Sequence, residues 1–340
     1  MIRLNDPNKF DLRIGRRVLA SEIGKQGSYP VYSANVKSVF GYINHLLFND
    51  FEKPSILWGI DGDWMVSYID KNKAFYPTDH CGIIRVIDQH INPYYVALEL
   101  EEIGKYYGFS RTFRASTERI AAVQIPLPPL DVQQQIVKEC REIDKEYNNN
   151  RMSIEKYRHK IDDIFGKLEI AKNSEVTKKL SEIFKLSSGK ILSSRNRIEG
   201  NVPIYGGNGI TGYHNQGFIS QPTIVIGRVG EYCGSVHLTE ANVWVTDNAL
   251  YATEYMLEVD KKFLLYMLRQ ANLNQYANRT GQPNISQVSI ANVEIPFPDI
   301  SRQHEITKEV EEYELKIAEA DQILQSCSSR KQAILNKYLK

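Results

Sequence analysis

The sequence predicts an α/β protein of two tandem domains joined by two long antiparallel coiled-coil helices, arranged as an internal repeat with pseudo-twofold character. Two observations lead there. A proline-rich junction occurs twice, about 170 residues apart. Ile125-Pro126-Leu127-Pro128-Pro129-Leu130-Asp131, leading to Gln135-Ile136-Val137-Lys138-Glu139, returns as Ile295-Pro296-Phe297-Pro298-Asp299-Ile300, leading to Glu305-Ile306-Thr307-Lys308-Glu309. A heptad rhythm then follows each junction. The implied order is a first domain over 1–128, a first spacer helix over 129–170, a second domain over 171–298 and a second spacer helix over 299–340.

Weaker matches keep the same order through both domains. Leu12-Arg13-Ile14-Gly15-Arg16 answers Leu186-Ser187-Ser188-Gly189-Lys190, and Tyr29-Pro30-Val31-Tyr32 answers Val202-Pro203-Ile204-Tyr205. Lys53-Pro54-Ser55-Ile56-Leu57-Trp58-Gly59 answers Gln221-Pro222-Thr223-Ile224-Val225-Ile226-Gly227, and Thr78-Asp79 answers Thr246-Asp247. Short β-type runs at 55–58, 65–69, 81–87, 223–226, 235–238 and 242–245 predict strands. Helices are predicted over 93–102 and 261–270.

The first spacer stripe runs through Ile136, Cys140, Ile143, Tyr147, Asn150, Ile154, Tyr157, Ile161, Ile164 and Leu168. The second runs through Ile306, Val310, Tyr313, Ile317, Ala320, Leu324, Cys327, Lys331, Ile334 and Tyr338. Helices of roughly 35 residues are on the order of 50 Å long, too long for either stripe to be covered by one small domain. One arrangement lays each helix along its own domain. The favoured one pairs them antiparallel, because each leaves a domain at its N-terminal end. The prolines stiffen each junction, and Asp131 and Asp299 are expected to cap the helices.

Length suffices for two ordinary cores, and 42% hydrophobic with 24% charged residues fits a folded rather than a disordered chain. No apolar run is long enough to cross a bilayer, and the N-terminal residues do not form a signal peptide. The four dispersed cysteines read as free thiols of a cytoplasmic protein. A formal net charge of +1 is weak support for nucleic-acid binding, and composition leaves the question open, since basic residues gathered on one face would still serve.

Motifs for chemistry are scarce. Gly206-Gly207-Asn208-Gly209 lacks the Lys-Ser/Thr of a phosphate loop and reads as a turn. Asn92-Pro93-Tyr94-Tyr95 reads as a turn opening a helix. The seven histidines show no metal-ligand spacing, and Asp61 with Asp63 reads as a solvated turn. Asp79 and Asp247 read as loop-fixing hydrogen-bond partners.

Gly189-Lys190, Pro203-Ile204-Tyr205-Gly206-Gly207-Asn208-Gly209 with Gly212-Tyr213, Thr246-Asp247-Asn248-Ala249, and Ile295-Pro296-Phe297-Pro298 leading to Gln303 together resemble the specificity subunit of Type I restriction–modification systems. The separate specificity subunits of some Type IIB systems are similar. The resemblance covers almost the whole chain and is strongest in the second copy. The first copy departs from it: Tyr32-Ser33-Ala34-Asn35 replaces the glycine-rich loop. The resemblance implies two target-recognition domains, each reading half of a bipartite double-stranded DNA sequence, with spacer helices setting the gap. It implies docking of two methyltransferase subunits carrying S-adenosylmethionine, and of restriction or motor subunits where a system has them. This chain would then bind no cofactor or metal and catalyse nothing.

Base reading needs paired donors and acceptors in loops, with basic groups for phosphates. The candidates are Lys25, Gln26, Asn35, Lys37, Tyr42, Lys71, Lys73, Arg111, Arg114 and Arg119 in the first copy. In the second they are Arg195, Arg197, Asn208, Tyr213, Arg228, Asn278, Arg279, Gln282 and Asn284. The competing function class is a non-catalytic two-lobed protein scaffold that does not read DNA.

Overall fold

The structure, a computed structural model, describes residues 1–171 and 177–339. The expected opening stretch of the second domain, 172–176, and the last residue of the second spacer, 340, lie outside the described residues. The chain forms two units: Met1–Asn150 with Gln322–Lys340, and Arg151–Asp321.

The first unit contains Ile2–Arg3 (β1), Phe10–Ile14 (β2), Tyr29–Tyr32 (β3), Gly41–Ile43 (β4), Ser55–Gly59 (β5), Val66–Ile69 (β6), Tyr76–Pro77 (β7) and Cys81–Val86 (β8). Pro93–Tyr107 (α1), Thr117–Ala121 (α2), Gln124–Ile125 (β9) and the start of the long helix Leu130–Ala171 (α3) follow. A four-stranded antiparallel sheet has the order β2-β8-β5-β6, a three-stranded one the order β4-β3-β7, and β1 pairs with β9. The second unit contains Thr177–Lys179 (β10), Leu180–Ile183 (α4), Phe184–Ser188 (β11), Val202–Gly206 (β12), Gly209–His214 (β13), Ile224–Gly227 (β14), Val236–Leu238 (β15), Trp244–Val245 (β16) and Ala249–Tyr255 (β17). Lys261–Gln270 (α5), Gln287–Ile290 (α6), Glu294–Pro296 (β18) and the start of the second long helix Ile300–Leu339 (α7) complete it. Its sheets have the orders β11-β17-β14-β15, β13-β12-β16 and β10-β18. Strand for strand, the two topologies are the same.

The apolar runs of β5 and β14 are strands covered on both faces. Ile56 and Trp58 join Val96 and Leu100 of α1 in one cluster, while Leu57 faces Val36, Phe75 and Ile83 on the other side. In the second unit Ile224 and Ile226 meet Phe263 and Leu264 of α5, whereas Val225 meets Tyr205, Val243 and Val245. Helix α1 starts where Asn92 accepts from the amides of Tyr94 and Tyr95, and ends at Gly108 with φ +69°. It therefore runs past the expected 93–102.

The long helices pair antiparallel within each unit. In the first, Arg330 binds Glu146 at 2.8 Å, Lys331 binds Asp144, and Lys337 and Tyr338 bind Glu139. Leu335 packs with Ile136, Val137, Cys140 and with Tyr95 and Leu98 of α1. In the second, the rings of Tyr157 and Tyr313 stack 5.8 Å apart, and Phe165 and Leu168 enter the core beside Ile306 and Val310. Each helix thus also packs on its own domain, so the two arrangements weighed from the sequence coexist.

Of the spacer positions, Ile136, Ile143, Ile154, Leu168, Ile306 and Val310 are buried, and Ile161, Tyr313, Ile317, Leu324 and Ile334 are half-buried. Tyr147 departs from the expectation: it is 39% exposed and lines a groove with Tyr94, Arg141 and Asn148 instead of filling the seam. A second correction concerns the caps. Asp299 accepts from the Arg302 amide at 3.1 Å, as expected. The two helices begin at corresponding residues, Leu130 and Ile300, but Pro129 stands at the cap where the second junction has Asp299, and Asp131 lies inside the first turn.

A buried glutamine closes each junction. Gln133 Oε1 accepts from Asn92 N at 2.8 Å, and its Nε2 donates to Pro128 O at 2.8 Å. Gln303 repeats this with Asp260 N at 3.0 Å and Pro298 O at 2.8 Å. Each ties the proline turn, the long helix and the cap of α1 or α5 together. Gln133→Ala and Gln303→Ala should each leave buried backbone groups unpaired and cost about 1–3 kcal/mol, read by urea denaturation.

Glu99 breaks the repeat's symmetry, since Met267 holds its place on α5. Glu99 is buried, with Oε1 unpartnered among the described residues. Burial first, and Glu102 second, push its carboxyl up to about 7 from an ordinary 4.5. The folded value is the raised one, so the stability gained from the protonated form is full below 4.5 and is lost as pH rises through about 7. Glu99→Gln should remove that decline when denaturation midpoints are compared between about pH 5 and about pH 8.

Candidate nucleic-acid interface

In the second unit several loops meet at one end of the four-stranded sheet. Arg228 N donates to Asn248 O at 2.9 Å, Ile285 N to Arg228 O at 2.8 Å, and Gly230 N to Pro283 O at 2.9 Å. Asn278 and Asn284 exchange backbone hydrogen bonds at 2.8 and 3.0 Å, and Ser235 Oγ donates to Gly207 O at 2.6 Å. These ties bring Arg228, Asn278, Gln282 and Asn284 together, with Asn208 on the adjoining turn. Asn208, Asn278 and Gln282 are exposed. Arg279 is held by Asn274 Oδ1 at 2.6 Å. Arg228 is partly committed inward, donating through Nη1 to Ser188 Oγ at 3.2 Å.

Arg195, Arg197 and Tyr213 lie exposed on or beside the β12–β13 hairpin. Arg197 lies across Gly212, where a Cβ would stand 2.8 Å from Nη2. With φ at +146°, only glycine leaves that space free.

The first unit repeats the scaffold with other side chains. Ile60 N donates to His80 O, and Ala115 N to Ile60 O, both at 3.0 Å. Arg114 and Arg119 are thereby gathered with Asp61 and His80, and Arg111 lies exposed on the same loop. Ile14, Ile60, Thr112, Arg114 and Arg119 line a groove of about 540 Å³. Arg114 Nη2 donates to Asp61 Oδ2 at 3.0 Å, its Nε bonds Asp61 Oδ1, and His80 Nδ1 also meets Oδ2. Burial pushes the Asp61 carboxyl up, but the hydrogen bonds from His80 and Arg114 outweigh it and hold it below the usual range. Arg119 Nη1 donates to Arg114 O at 2.7 Å, and its guanidinium lies 4.0 Å from the Phe113 ring centre.

Other candidates are dispersed. Lys25 and Gln26 follow Gly24, which exchanges backbone hydrogen bonds with Tyr42 at 2.9 and 3.0 Å beside the β3–β4 hairpin. Asn35 accepts from Lys37 N at 3.0 Å, and the Lys37 ammonium is paired with Glu101 of α1. Lys71 and Lys73 flank Asn72, whose amide donates to Phe51 O at 2.7 Å. They sit at the end of the β5–β6 pair opposite Asp61, so the structure does not unite them with Arg114 and Arg119.

Asp61 is thus an ion-pair partner of Arg114 and not the solvated turn its sequence suggests; its signal in the sequence is that it interrupts the run matching Val225 to Gly230. Beside Asp79 it is Thr78 that ties the loop, through Ser33 Oγ at 3.1 Å and the His80 amide at 3.2 Å. Among the described residues, no cluster of His, Cys, Asp or Glu could hold a metal, and no helix is long and apolar enough to cross a membrane.

Residues 9–156 and 172–326 each match the Type I restriction modification DNA specificity domain. The chain belongs to that family. It is similar to the Type I restriction enzyme EcoprrI specificity subunit of Escherichia coli, 28% identical over 192 residues, which are 54% of this chain but 45% of that protein. It is also similar to the putative type I specificity subunit S.MpnORF507P of Mycoplasma pneumoniae, 23% identical over 87% of this chain and 84% of that one. In fold it resembles the Type I restriction–modification system S subunit from M. genitalium, with a TM-score of 0.69, 20% identity, and 99% and 95% of the two chains covered.

Proposed function

We propose that this chain is the DNA-reading subunit of a Type I restriction–modification complex. Each unit reads one half of a bipartite duplex target through the loops at the end of its four-stranded sheet, and the chain itself catalyses nothing. Two adenine methyltransferase subunits, carrying S-adenosylmethionine, act where it directs them, and restriction subunits join where the system has them. The complex works in the cytoplasm, where its DNA is.

The observation that carries this reading is a duplicated backbone scaffold presenting two different sets of side chains. Matched scaffolds with unmatched loops are what two half-sites of different sequence require. Arg111, Arg119, Arg195, Arg197 and Arg279 supply phosphate attraction despite a net charge of only +1. Lys25, Gln26, Tyr42 and Tyr213 flank the hairpins beside these loops. Lys37, paired with Glu101, and Lys71 and Lys73, set at the far end of their strands, contribute less.

The test is the chain co-expressed with its methyltransferase, assayed by mobility shift and by mapping of methylated adenines. A single split motif is expected. Binding that ignores sequence, or no binding, would leave the protein-scaffold reading in its place.

The helices are proposed to set the gap between half-sites. Removing one heptad from α3 and one from α7 in register shortens the pair by roughly 10 Å, about three base pairs. Methylation mapping should show the gap reduced by that amount with each half-site unchanged; an unaltered gap would refute the spacing role.

A further inference from the structure

We infer that Arg114, held by Asp61, reads a guanine in the half-site of the first unit, whereas the second unit has no such reader at the corresponding rung. This rests on the DNA-reading function proposed above and adds the identity of one base.

The guanidinium of Arg114 has two donor edges. The Nε–Nη2 edge is occupied by the two carboxylate oxygens of Asp61. Nη1 has no hydrogen-bond partner among the described residues, so the outer Nη1–Nη2 edge stays available, and the arginine is exposed. Its position is fixed from behind. Ala115 N ties the loop to Ile60 O at 3.0 Å, Arg119 Nη1 holds Arg114 O at 2.7 Å, and His80 steadies Asp61. A planar fork whose rotamer is locked by a second residue loses little freedom when it engages a ligand.

Charge decides what that fork engages. A phosphate is best held by a cation whose charge is not offset, and the ionised carboxylate bonded to Arg114 would repel it. A guanine edge carries no net charge and offers two acceptors side by side, O6 and N7, in the major groove. No other base presents that pair. Arg111, and Arg119 stacked on Phe113, have no carboxylate attached among the described residues and suit the flanking phosphates.

The second unit shows the contrast. Its backbone makes the same tie, Ile285 N to Arg228 O at 2.8 Å, but Val229 stands in the place of Asp61 and Asn284 in the place of Arg114. An uncharged amide there cannot give the guanine fork. The two half-sites are therefore expected to differ at this rung.

The test uses the chain in complex with its methyltransferase and duplexes carrying the mapped target. Each guanine is replaced in turn by 7-deazaguanine, which lacks the N7 acceptor, and by the other base pairs. One guanine should stand out, its base replacement weakening binding by about 5- to 150-fold and its 7-deaza analogue weakening it in part. Arg114→Ala should erase the preference at that guanine alone, and Asp61→Asn should reduce it there. A uniform loss at every position with Arg114→Ala would mark a phosphate contact and overturn the inference while the DNA-reading function stood. Retained preference at every guanine in that variant would overturn it likewise. If the wild-type complex showed no base preference anywhere, the function itself would fall first. The 7-deazaguanine series needs no altered protein, and if no guanine of the target responded to it the inference would fall even where a variant misfolded.

Discussion

An amphipathic helix of forty residues cannot be stable on its own in water, and everything in this chain follows from how two such helices are covered. The start of each packs on the domain it leaves, and its far end enters the packing of the other unit. Ile136 and Cys140 meet Tyr95 and Leu98 together with Leu335, just as Ile306 and Val310 meet the second core together with Phe165 and Leu168. The polar partners of the seam are complementary as well, with acidic Glu139, Asp144 and Glu146 against basic Lys337, Lys331 and Arg330. Exposed pairs of this kind add little stability, but opposite signs fix which residues lie abreast.

The globular parts separate scaffold from reading surface. The scaffold is conservative between the copies: a central strand covered on both faces, a capped helix, and a loop held by the same two backbone hydrogen bonds. The side chains that emerge from that loop are free to change without disturbing it. Arg114 with Asp61 in one unit and Asn284 with Val229 in the other hang from one backbone arrangement, which is how a duplicated fold can serve two unlike ligands.

Much of this was legible in the residues. The Pro-rich junctions and the apolar runs of β5 and β14 each have a single physical solution, whereas the heptads left two coverings open and both occur. Periodicity is blunter where tertiary contacts decide. Strands such as β17, whose Ala249-Leu250-Tyr251-Ala252-Thr253-Glu254-Tyr255 has no regular apolar–polar alternation, reveal themselves only through their neighbours on both sides. Tyr147 keeps the heptad spacing yet turns outward, and Asp131 looks like a cap but lies inside the first turn, Pro129 holding the cap position. Among the candidate DNA contacts, residue type was informative and location was not. Nothing in Lys71 or Lys73 tells which end of a strand pair they occupy, and nothing in Asp61 announces that it will meet Arg114 across a long stretch of chain. Gln133 and Gln303, repeated at one place after the prolines, were a visible signal whose meaning needed the fold.

Because Leu335 and its neighbours belong to the first unit while following the whole of the second in the chain, order of synthesis and order of completion run opposite ways. As the polypeptide leaves the ribosome, Ile136 and Cys140 emerge covered on one side by Tyr95 and Leu98, and the side that Leu335 covers stays open until the second unit has been made. The remaining cover follows the second unit in the chain, so the nascent protein carries a half-open seam while that unit is being made.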